Sequence, residues 1–535
     1  MVKDLNISVA QINTIVGDFE GNRRKIEKVW CELDSRTELI VYPEMTLSGY
    51  PVEDLVLRPA FVERARAELD VLVEKSISYK SAVLIGAPLK KDGALYNAAF
   101  LIDRGDMTVI LKHGLPNYGV FDEKRIFEHG PLGSPIPFRG HKLGIMICWD
   151  FWSPKASAHL HQQGAELLII PNGSTYETTK IAARLHEAEC RIQETGLPLL
   201  YVNMVGGHDE LVFDGASFYM NEQGQVTFMM KAFEEDVREV AQEEDVEPYP
   251  DVNEATYNAL VLGLRDYVTK QNIPGVLLGL SGGIDSTLAA VVAVDALGAD
   301  RVKAYRLPSP FTSQESMEDA QDLAHRLGIQ LETIEIKQVM QAYEATLDNL
   351  SGTAHENIQA RIRGGILMSL SNMTGDMLLT TGNKSEIAVG YATLYGDMCG
   401  GFNPLKDLYK TKVFELSHLR NMWKPLFAMG PNGPVIPPEI LTKAPTAELR
   451  ENQLDQDSLP PYDILDQILE RLIENEQSMD EIISAGFDAD IVRKTYALLK
   501  GAEYKRRQAA PGVNVTPKSF GGRARRYPII NKFNA

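Results

Sequence analysis

The hydrophobic positions of this chain fall in short dense blocks. In the first part these are residues 39–42 (Leu-Ile-Val-Tyr), 82–86 (Ala-Val-Leu-Ile-Gly), 98–102 (Ala-Ala-Phe-Leu-Ile), 143–147 (Leu-Gly-Ile-Met-Ile) and 167–170 (Leu-Leu-Ile-Ile). Blocks of this length, bounded by turn residues and separated by helical stretches, predict a layered α/β or α+β domain from residue 5 to about residue 230. Residues 1–11 alternate like one more strand and lack the apolar centre of a signal peptide. The acidic, Pro-bearing stretch 233–254 reads as a linker, centred on 241–254. A second α/β unit begins near 255 with a helix ending at Gln271, followed by an apolar strand at 273–280, an apolar helix at 287–297, and strands at 302–307 and 377–382. Apolar strands joined by helices predict a doubly wound parallel sheet, with the chemistry outside the strands' carboxyl ends. Residues 431–461, rich in Pro and acids, read as a long ordered loop or a partly mobile flap. The expected organisation is thus multidomain α/β, with domains at 1–240 and 255–535.

Composition narrows the class. A chain of 535 residues exceeds what one hydrophobic core organises, and 44% hydrophobic with 24% charged residues is ordinary for globular domains. A formal charge of −19 argues against a general nucleic-acid binder. Arg523, Arg525 and Arg526 form one local basic cluster, of the size of a solvated or anion-contacting tail. No apolar run approaches the roughly 18 residues that a membrane span needs. Cys31, Cys148, Cys190 and Cys399 are widely spaced with no CxxC pair, which predicts free thiols, a cytoplasmic setting and no zinc.

The chemistry is clearest where the strand at 273–280 runs into Gly279-Leu280-Ser281-Gly282-Gly283-Ile284-Asp285-Ser286 and then a helix. Small residues leave backbone N–H groups free to face an anion at a helix N-terminus, and the Ser281 and Ser286 hydroxyls add donors. Asp285 makes sense beside phosphates chiefly if Mg²⁺ bridges the two. No Gly-Lys-Ser/Thr follows, so the loop is not of the Walker type. Its order resembles the PP-loop of the ATP pyrophosphatases, which cleave ATP to AMP and pyrophosphate while adenylating a substrate oxygen.

In the first domain Glu44, Lys112 and Cys148 each follow an apolar strand and can converge at one sheet end. Singly, each has a dull explanation as a solvated charge or a small buried hydrophobe. Their surroundings add more: Tyr42-Pro-Glu44-Met-Thr-Leu-Ser-Gly-Tyr50-Pro, Lys112-His-Gly-Leu-Pro-Asn-Tyr118-Gly-Val-Phe-Asp-Glu123-Lys-Arg and Ile147-Cys148-Trp-Asp-Phe-Trp resemble the three signature blocks of the nitrilase, or carbon–nitrogen hydrolase, superfamily. The resemblance implies an αββα sandwich and an amidase. Cys148 would be the nucleophile, its thiolate favoured by Lys112; Glu44 would shuttle the proton; Lys112 and the N–H after Cys148 would hold the oxyanion. By the same pattern Glu123 would prop Lys112 and Glu44, its alternative being a surface acid. Ser174 and Lys180, in Pro171-Asn-Gly-Ser174-Thr-Tyr-Glu-Thr-Thr-Lys180, together with Tyr118, would bind the amino-acid end of glutamine, with Arg184 as a substitute for Lys180. Gly173 stands where families with this block usually carry Ala.

A nitrilase-type amidase joined to a PP-loop domain resembles the glutamine-dependent NAD⁺ synthetases. Asn357-Ile-Gln-Ala-Arg361-Ile-Arg363, Thr380-Thr381-Gly-Asn-Lys-Ser-Glu386, Asn403 to Lys410, Ala444-Pro-Thr446 and Glu503-Tyr504-Lys505 resemble that family's further blocks, so the likeness covers nearly the whole chain. Leu394 and Tyr504 depart from some relatives, which have Lys and His there. The resemblance implies an adenine nucleotide alpha hydrolase-like C-terminal domain. In it Asp285 and Glu386 would hold Mg²⁺, Lys410 and Thr446 would meet ATP phosphate, and Thr381 adenine or ribose. Asn357, Arg361, Glu386 and Lys505 would bind deamido-NAD⁺. It further implies glutamine, ATP and deamido-NAD⁺ as small-molecule substrates, an ammonia transfer shielded from solvent, and a homo-oligomer, with no nucleic-acid or membrane partner. The rivals are a PP-loop ligase for another carboxylate or carbamoyl substrate, and a silent protein that only binds dinucleotides or amides.

Overall fold

The computed structural model describes residues 5–240, 244–451, 453–521 and 524–532. Arg523 of the basic cluster therefore lies outside the described residues. The chain divides into two compact units, 1–250 and 251–535.

Unit 1 opens with β1 (Ile7–Gln11), α1 (Phe19–Leu33), β2 (Leu39–Val41), α2 (Pro59–Ser76), β3 (Ala82–Lys91), β4 (Ala94–Asp103) and β5 (Asp106–Leu111). It continues with β6 (Ile136–Phe138), β7 (His141–Ile145), α3 (Pro154–Gln162), β8 (Leu167–Asn172), α4 (Lys180–Thr195) and β9 (Leu199–Asn203). The hairpin β10 (Val205–His208) and β11 (Leu211–Asp214) precedes β12 (Phe218–Met220), β13 (Val226–Met229), β14 (Asp236–Glu239) and β15 (Asp245–Val246). One sheet has the order β14-β1-β2-β3-β4-β5, the other β15-β13-β12-β9-β8-β7-β6.

Alternation along each strand divides its side chains between two layers. Val9, Leu39, Val41, Leu143, Leu167 and Ile169 meet in one cluster to which both sheets contribute. Their neighbours Ala10 and Ile40 pack with Trp30 and Leu69 from α1 and α2. Leu168 and Ile170 pack with Leu160 and Ile192 from α3 and α4. Helix, sheet, sheet, helix is the resulting order of layers. Burial on both faces explains why these strands read as unbroken apolar blocks.

Part of the acidic stretch expected to be a linker is strand, and the break between the units falls near its end, after Pro250. Residues 236–239 form β14, antiparallel to β1, and residues 245–246 form β15, parallel to β13. Both are terminal strands of their sheets, where charged side chains are tolerated because only the backbone has to pair.

Unit 2 begins with α5 (Val252–Lys270), three residues earlier than expected, because the Asp251 carboxylate accepts from Asn253 N and Glu254 N at 2.8 and 2.9 Å. Then come β16 (Val276–Gly279), α6 (Ile284–Leu297), β17 (Val302–Arg306), α7 (Gln314–Leu327), β18 (Gln330–Thr333), α8 (Lys337–Thr346), α9 (Gly352–Thr374), β19 (Met377–Leu379), α10 (Lys384–Val389) and α11 (Lys410–Met422). The sheet order is β18-β17-β16-β19, all parallel. β16 is central, so the loop that follows it opens at the middle of the sheet's carboxyl edge. Among its described residues the Pro-rich segment 431–461 contains the short helix Pro438–Thr442 and a 3-10 turn at Asp455–Asp457, and residues 443–449 line the cavity described below.

Candidate active sites

In unit 1 the three charged or nucleophilic residues that follow β2, β5 and β7 converge. Lys112 Nζ donates to Glu44 Oε1 at 2.7 Å and to Glu123 Oε2 at 2.6 Å. Glu44 Oε1 also accepts from Asn97 Nδ2 at 2.7 Å, and Glu44 Oε2 from the Gly173 N–H at 2.9 Å. Glu123 Oε1 accepts from Tyr50 Oη and Asn97 Nδ2, each at 3.1 Å. Glu123 is buried, so it is no surface acid. Burial alone would lower the Lys112 pKa, but the Glu123 and Glu44 carboxylates hold it well above its usual value.

Cys148 opens a short 3-10 helix, Cys148–Trp152, with φ at 44°, in the left-handed region that non-glycine residues seldom adopt. Asp150 holds this turn. It accepts from Ile147 N at 3.0 Å and from His113 N at 3.1 Å, and so ties the nucleophile's turn to the residue after Lys112. The Lys112 ammonium is one of several influences on the Cys148 thiol. Burial pushes the Cys148 thiol well above its ordinary value, Glu44 pushes it further, and Lys112 offsets this only in part, its charge being shared by two carboxylates. The shift favours the neutral thiol, whose proton would have to leave during attack.

At the rim, Lys180 is the first residue of α4, its ammonium 4.8 Å from the centre of the Trp152 ring and 5.7 Å from that of Tyr118. Tyr118 packs on Trp149 with ring centres 4.7 Å apart. Burial lowers the Lys180 pKa, and the Glu177 charge counters this only in part. Arg184 cannot replace Lys180. Its Nη1 lies 2.9 Å from both Asp214 oxygens, its Nη2 donates to Ser174 O and Thr175 O, and its Nε to Ser174 Oγ at 3.1 Å. Asn97, Tyr50, Asp150 and the Gly173 N–H escaped the sequence reading, since each acts through contacts distant in the chain; the Gly-Tyr end of the first block was the one available hint for Tyr50.

In unit 2 a cavity of about 320 Å³ opens at the end of β16. Gly279, Leu280, Ser281, Gly283, Ile284, Asp285, Ser286, Thr381, Glu386, Lys410 and Thr446, all expected at a nucleotide site, line it. Gly282 supports the turn from behind: its φ is 82°, and a Cβ there would meet Ser316 O at 2.4 Å. Ser281 Oγ and Ser286 Oγ lie 3.0 Å apart, and Ser286 Oγ donates to Gly283 O at 3.1 Å. Lys410 Nζ bridges Asp285 Oδ2 and Glu386 Oε1, while Asn383 Nδ2 donates to Asp285 Oδ1 at 2.8 Å. Burial pushes the Glu386 carboxyl above its ordinary value, and Lys410 counters in part.

Asn357, Arg361 and Lys505 do not line this cavity. They gather instead around residues 390–394. Lys505 Nζ donates to Gly390 O and Ala392 O at 2.7 and 2.8 Å, Arg361 Nε to Leu394 O at 3.2 Å, and Asn357 Oδ1 accepts from Thr393 Oγ1 at 2.9 Å. Thr393 itself reaches the cavity wall.

An αββα unit with a Cys–Glu–Lys centre, followed by a parallel α/β unit with a glycine-rich cradle, defines a carbon–nitrogen hydrolase fused to a nucleotide-using synthase. The family models agree: carbon–nitrogen hydrolase matches residues 6–251, and NAD synthase residues 256–509. The chain is 47% identical to the glutamine-dependent NAD(+) synthetase of Rhodobacter capsulatus, over 100% of this chain and 99% of that one. Against the enzyme of the same name from Aquifex aeolicus it is 42% identical, over 99% and 100%. Among solved structures, the glutamine-dependent NAD+ synthetase of Acinetobacter baumannii, in complex with ADP, superposes with a TM-score of 0.77 at 39% identity, covering 98% of each chain. That of Cytophaga hutchinsonii shares the fold, with a TM-score of 0.81 at 22% identity and 98% coverage of each. The chain belongs to the glutamine-dependent NAD(+) synthetases.

Proposed function

We propose that the two units carry out the two halves of one amidation: ammonia is released from glutamine in unit 1 and consumed in unit 2 to turn deamido-NAD⁺ into NAD⁺. The observation that carries the division of labour is the presence, on one chain, of the Cys148–Glu44–Lys112 centre and the cradle of Ser281 to Ser286. In unit 1 the Cys148 sulfur attacks the glutamine amide carbon while Glu44 accepts its proton and passes it to the departing ammonia; Glu44 then activates water to cleave the thioester. Lys112 and the Trp149 N–H, in the first turn of the short helix, receive the oxyanion. Lys180, Tyr118 and Ser174 orient the amino-acid end of the substrate.

In unit 2 the pyridine carboxylate of deamido-NAD⁺ attacks the α-phosphorus of ATP. Pyrophosphate leaves, and ammonia then displaces AMP from the acyl-adenylate. The cradle and the N-terminus of α6 hold the phosphates, Lys410 and Thr446 contact them, and Thr381 lies toward the nucleoside. Asp285 and Glu386 suit Mg²⁺, which binds through one or two carboxylates plus substrate phosphates and needs no closed protein cage. Among the described residues no third His, Cys, Asp or Glu completes a group that could hold a metal. When bound, the ion would neutralise charge on the leaving pyrophosphate. Asn357, Arg361 and Lys505, around residues 390–394, would fix the dinucleotide. The same reading has the enzyme work in the cytoplasm as a homo-oligomer; free cysteines and the absence of any membrane-length apolar helix among the described residues support the first.

The direct test is AMP and NAD⁺ formation from ATP, deamido-NAD⁺ and glutamine. Pyrophosphate release with other carboxylates but not with deamido-NAD⁺ would point to a different ligase.

A further inference from the structure

Among the described residues four cations line the cavity of unit 2, Arg306, Arg363, Lys410 and Lys443, and three of them are already satisfied. Lys410 pairs with Asp285 and Glu386. Lys443 Nζ donates to Asp319 Oδ2 at 3.0 Å and to Ser316 Oγ at 2.8 Å. Arg306 gives Nη1 to Met317 O at 2.7 Å, and Nε and Nη2 to Thr333 Oγ1 at 3.1 and 2.9 Å. Among the described residues Arg363 makes a single hydrogen bond, from Nε to Leu307 O at 3.0 Å. Among the described residues no carboxylate forms an ion pair with it. The acids whose charge it feels are otherwise engaged: Glu448 Oε1 accepts from Ser313 Oγ and Ser316 Oγ at 2.7 Å, and Asp397 Oδ1 from Thr393 N at 2.6 Å. Burial accordingly pushes the Arg363 pKa down to about 10. A buried charge held without a partner is costly, and such sites are commonly completed by a ligand of opposite charge.

The position of Arg363 suggests which ligand. It lies on α9, whose Leu367, one turn on, approaches Gly279 at the end of β16, and its own bond goes to Leu307, the residue after β17. The side chain thus stands at the carboxyl edge of the sheet, beside the strand that feeds the cradle. We infer that Arg363 presents its two terminal nitrogens to the α-phosphate of the nucleotide, holding that group through ATP, the acyl-adenylate and AMP. This rests on the cavity being the ATP site, as proposed above. The cradle and α6 take the outer phosphates, which leaves the α-phosphate, between cradle and nucleoside, to be met by another cation. A guanidinium fork matches phosphoryl oxygens pairwise and keeps its charge where an ammonium would lose its own more easily. Attack by a carboxylate adds negative charge at that phosphorus, so the contact would strengthen as the reaction proceeds.

AMP and adenosine differ only in the phosphate and so isolate it. Both would be titrated calorimetrically into the full chain, wild type, Arg363→Gln and Arg363→Lys, with circular dichroism melts to establish folding. The expected result is AMP binding about 10- to 100-fold weaker in Arg363→Gln, as for a lost charge-assisted hydrogen bond, with adenosine binding unchanged and Arg363→Lys intermediate. Equal weakening of AMP and adenosine would overturn the inference in favour of a nucleoside contact, and no weakening of either would overturn it outright. Wild-type protein that fails to bind AMP at all would instead overturn the assignment of the cavity. Should Arg363→Gln not fold, the ratio of the two affinities in Arg363→Lys decides.

Discussion

Lys112 Nζ sits 2.7 Å from Glu44 Oε1, and neither side chain is reached by solvent. With Glu123 Oε2 on its other side at 2.6 Å, one buried ammonium is shared by two buried carboxylates. Replacing Lys112 by Met leaves both acids without their cation, a loss of about 3–5 kcal/mol for a broken buried pair. Chemical denaturation should show that loss. The double variant Lys112→Met with Glu123→Gln should recover part of it while remaining unable to hydrolyse glutamine. A Lys112→Met protein as stable as wild type would mean that the charges are not held as described.

Cys148 should behave as a thiol at neutral pH. Its pKa is raised, so the neutral form persists above the ordinary value of 9.0 and the thiolate appears only on the alkaline side. In a background with Cys31, Cys190 and Cys399 replaced by Ser, iodoacetamide should alkylate Cys148 at a rate still climbing above that value. Glu44→Gln, which removes the second cause of the shift, should move the rise to lower pH. A plateau between about pH 6 and 8 would reveal a resting thiolate instead.

Gly173 donates its N–H to Glu44 Oε2, and a Cβ at this position would lie 2.8 Å from Tyr50 Cδ1 and 3.2 Å from Glu44 Oε2. Gly173→Ala should displace Tyr50, which bonds Glu123, at a cost of about 1–3 kcal/mol for overpacking. Glutamine hydrolysis should fall by at least tenfold, and synthesis from ammonium should hold. Equal losses in both assays would point to global damage.

Chelation separates the sites in the opposite direction. With EDTA in excess, adenylation of deamido-NAD⁺ should stop, because on the proposed reading Asp285 and Glu386 would act on phosphates through a divalent ion. Glutamine hydrolysis, which uses none, should persist. Adenylation that survives chelation would remove the metal role from both acids.

What the sequence made legible, and what it hid, follows from range. Glu44, Lys112 and Cys148 could be found because each directly follows a dense apolar strand, and Ser281 to Ser286 because a cradle is a local object. Asn97 could not, being one polar residue inside β4 whose purpose is to bond Glu44 and Glu123 from other parts of the chain. Arg184 was misread because its type fits a carboxylate ligand, and only the fold reveals Asp214 already holding it. The strands at 236–239 and 245–246 looked like linker because edge strands need no apolar alternation.

The central claim is that Cys148 makes ammonia and unit 2 spends it. The measurement that tests it most directly is NAD⁺ synthesis by Cys148→Ala, with glutamine and with ammonium as alternative nitrogen sources. Loss of the glutamine-driven reaction with retention of the ammonium-driven one is the predicted result. Equal loss of both would contradict the account.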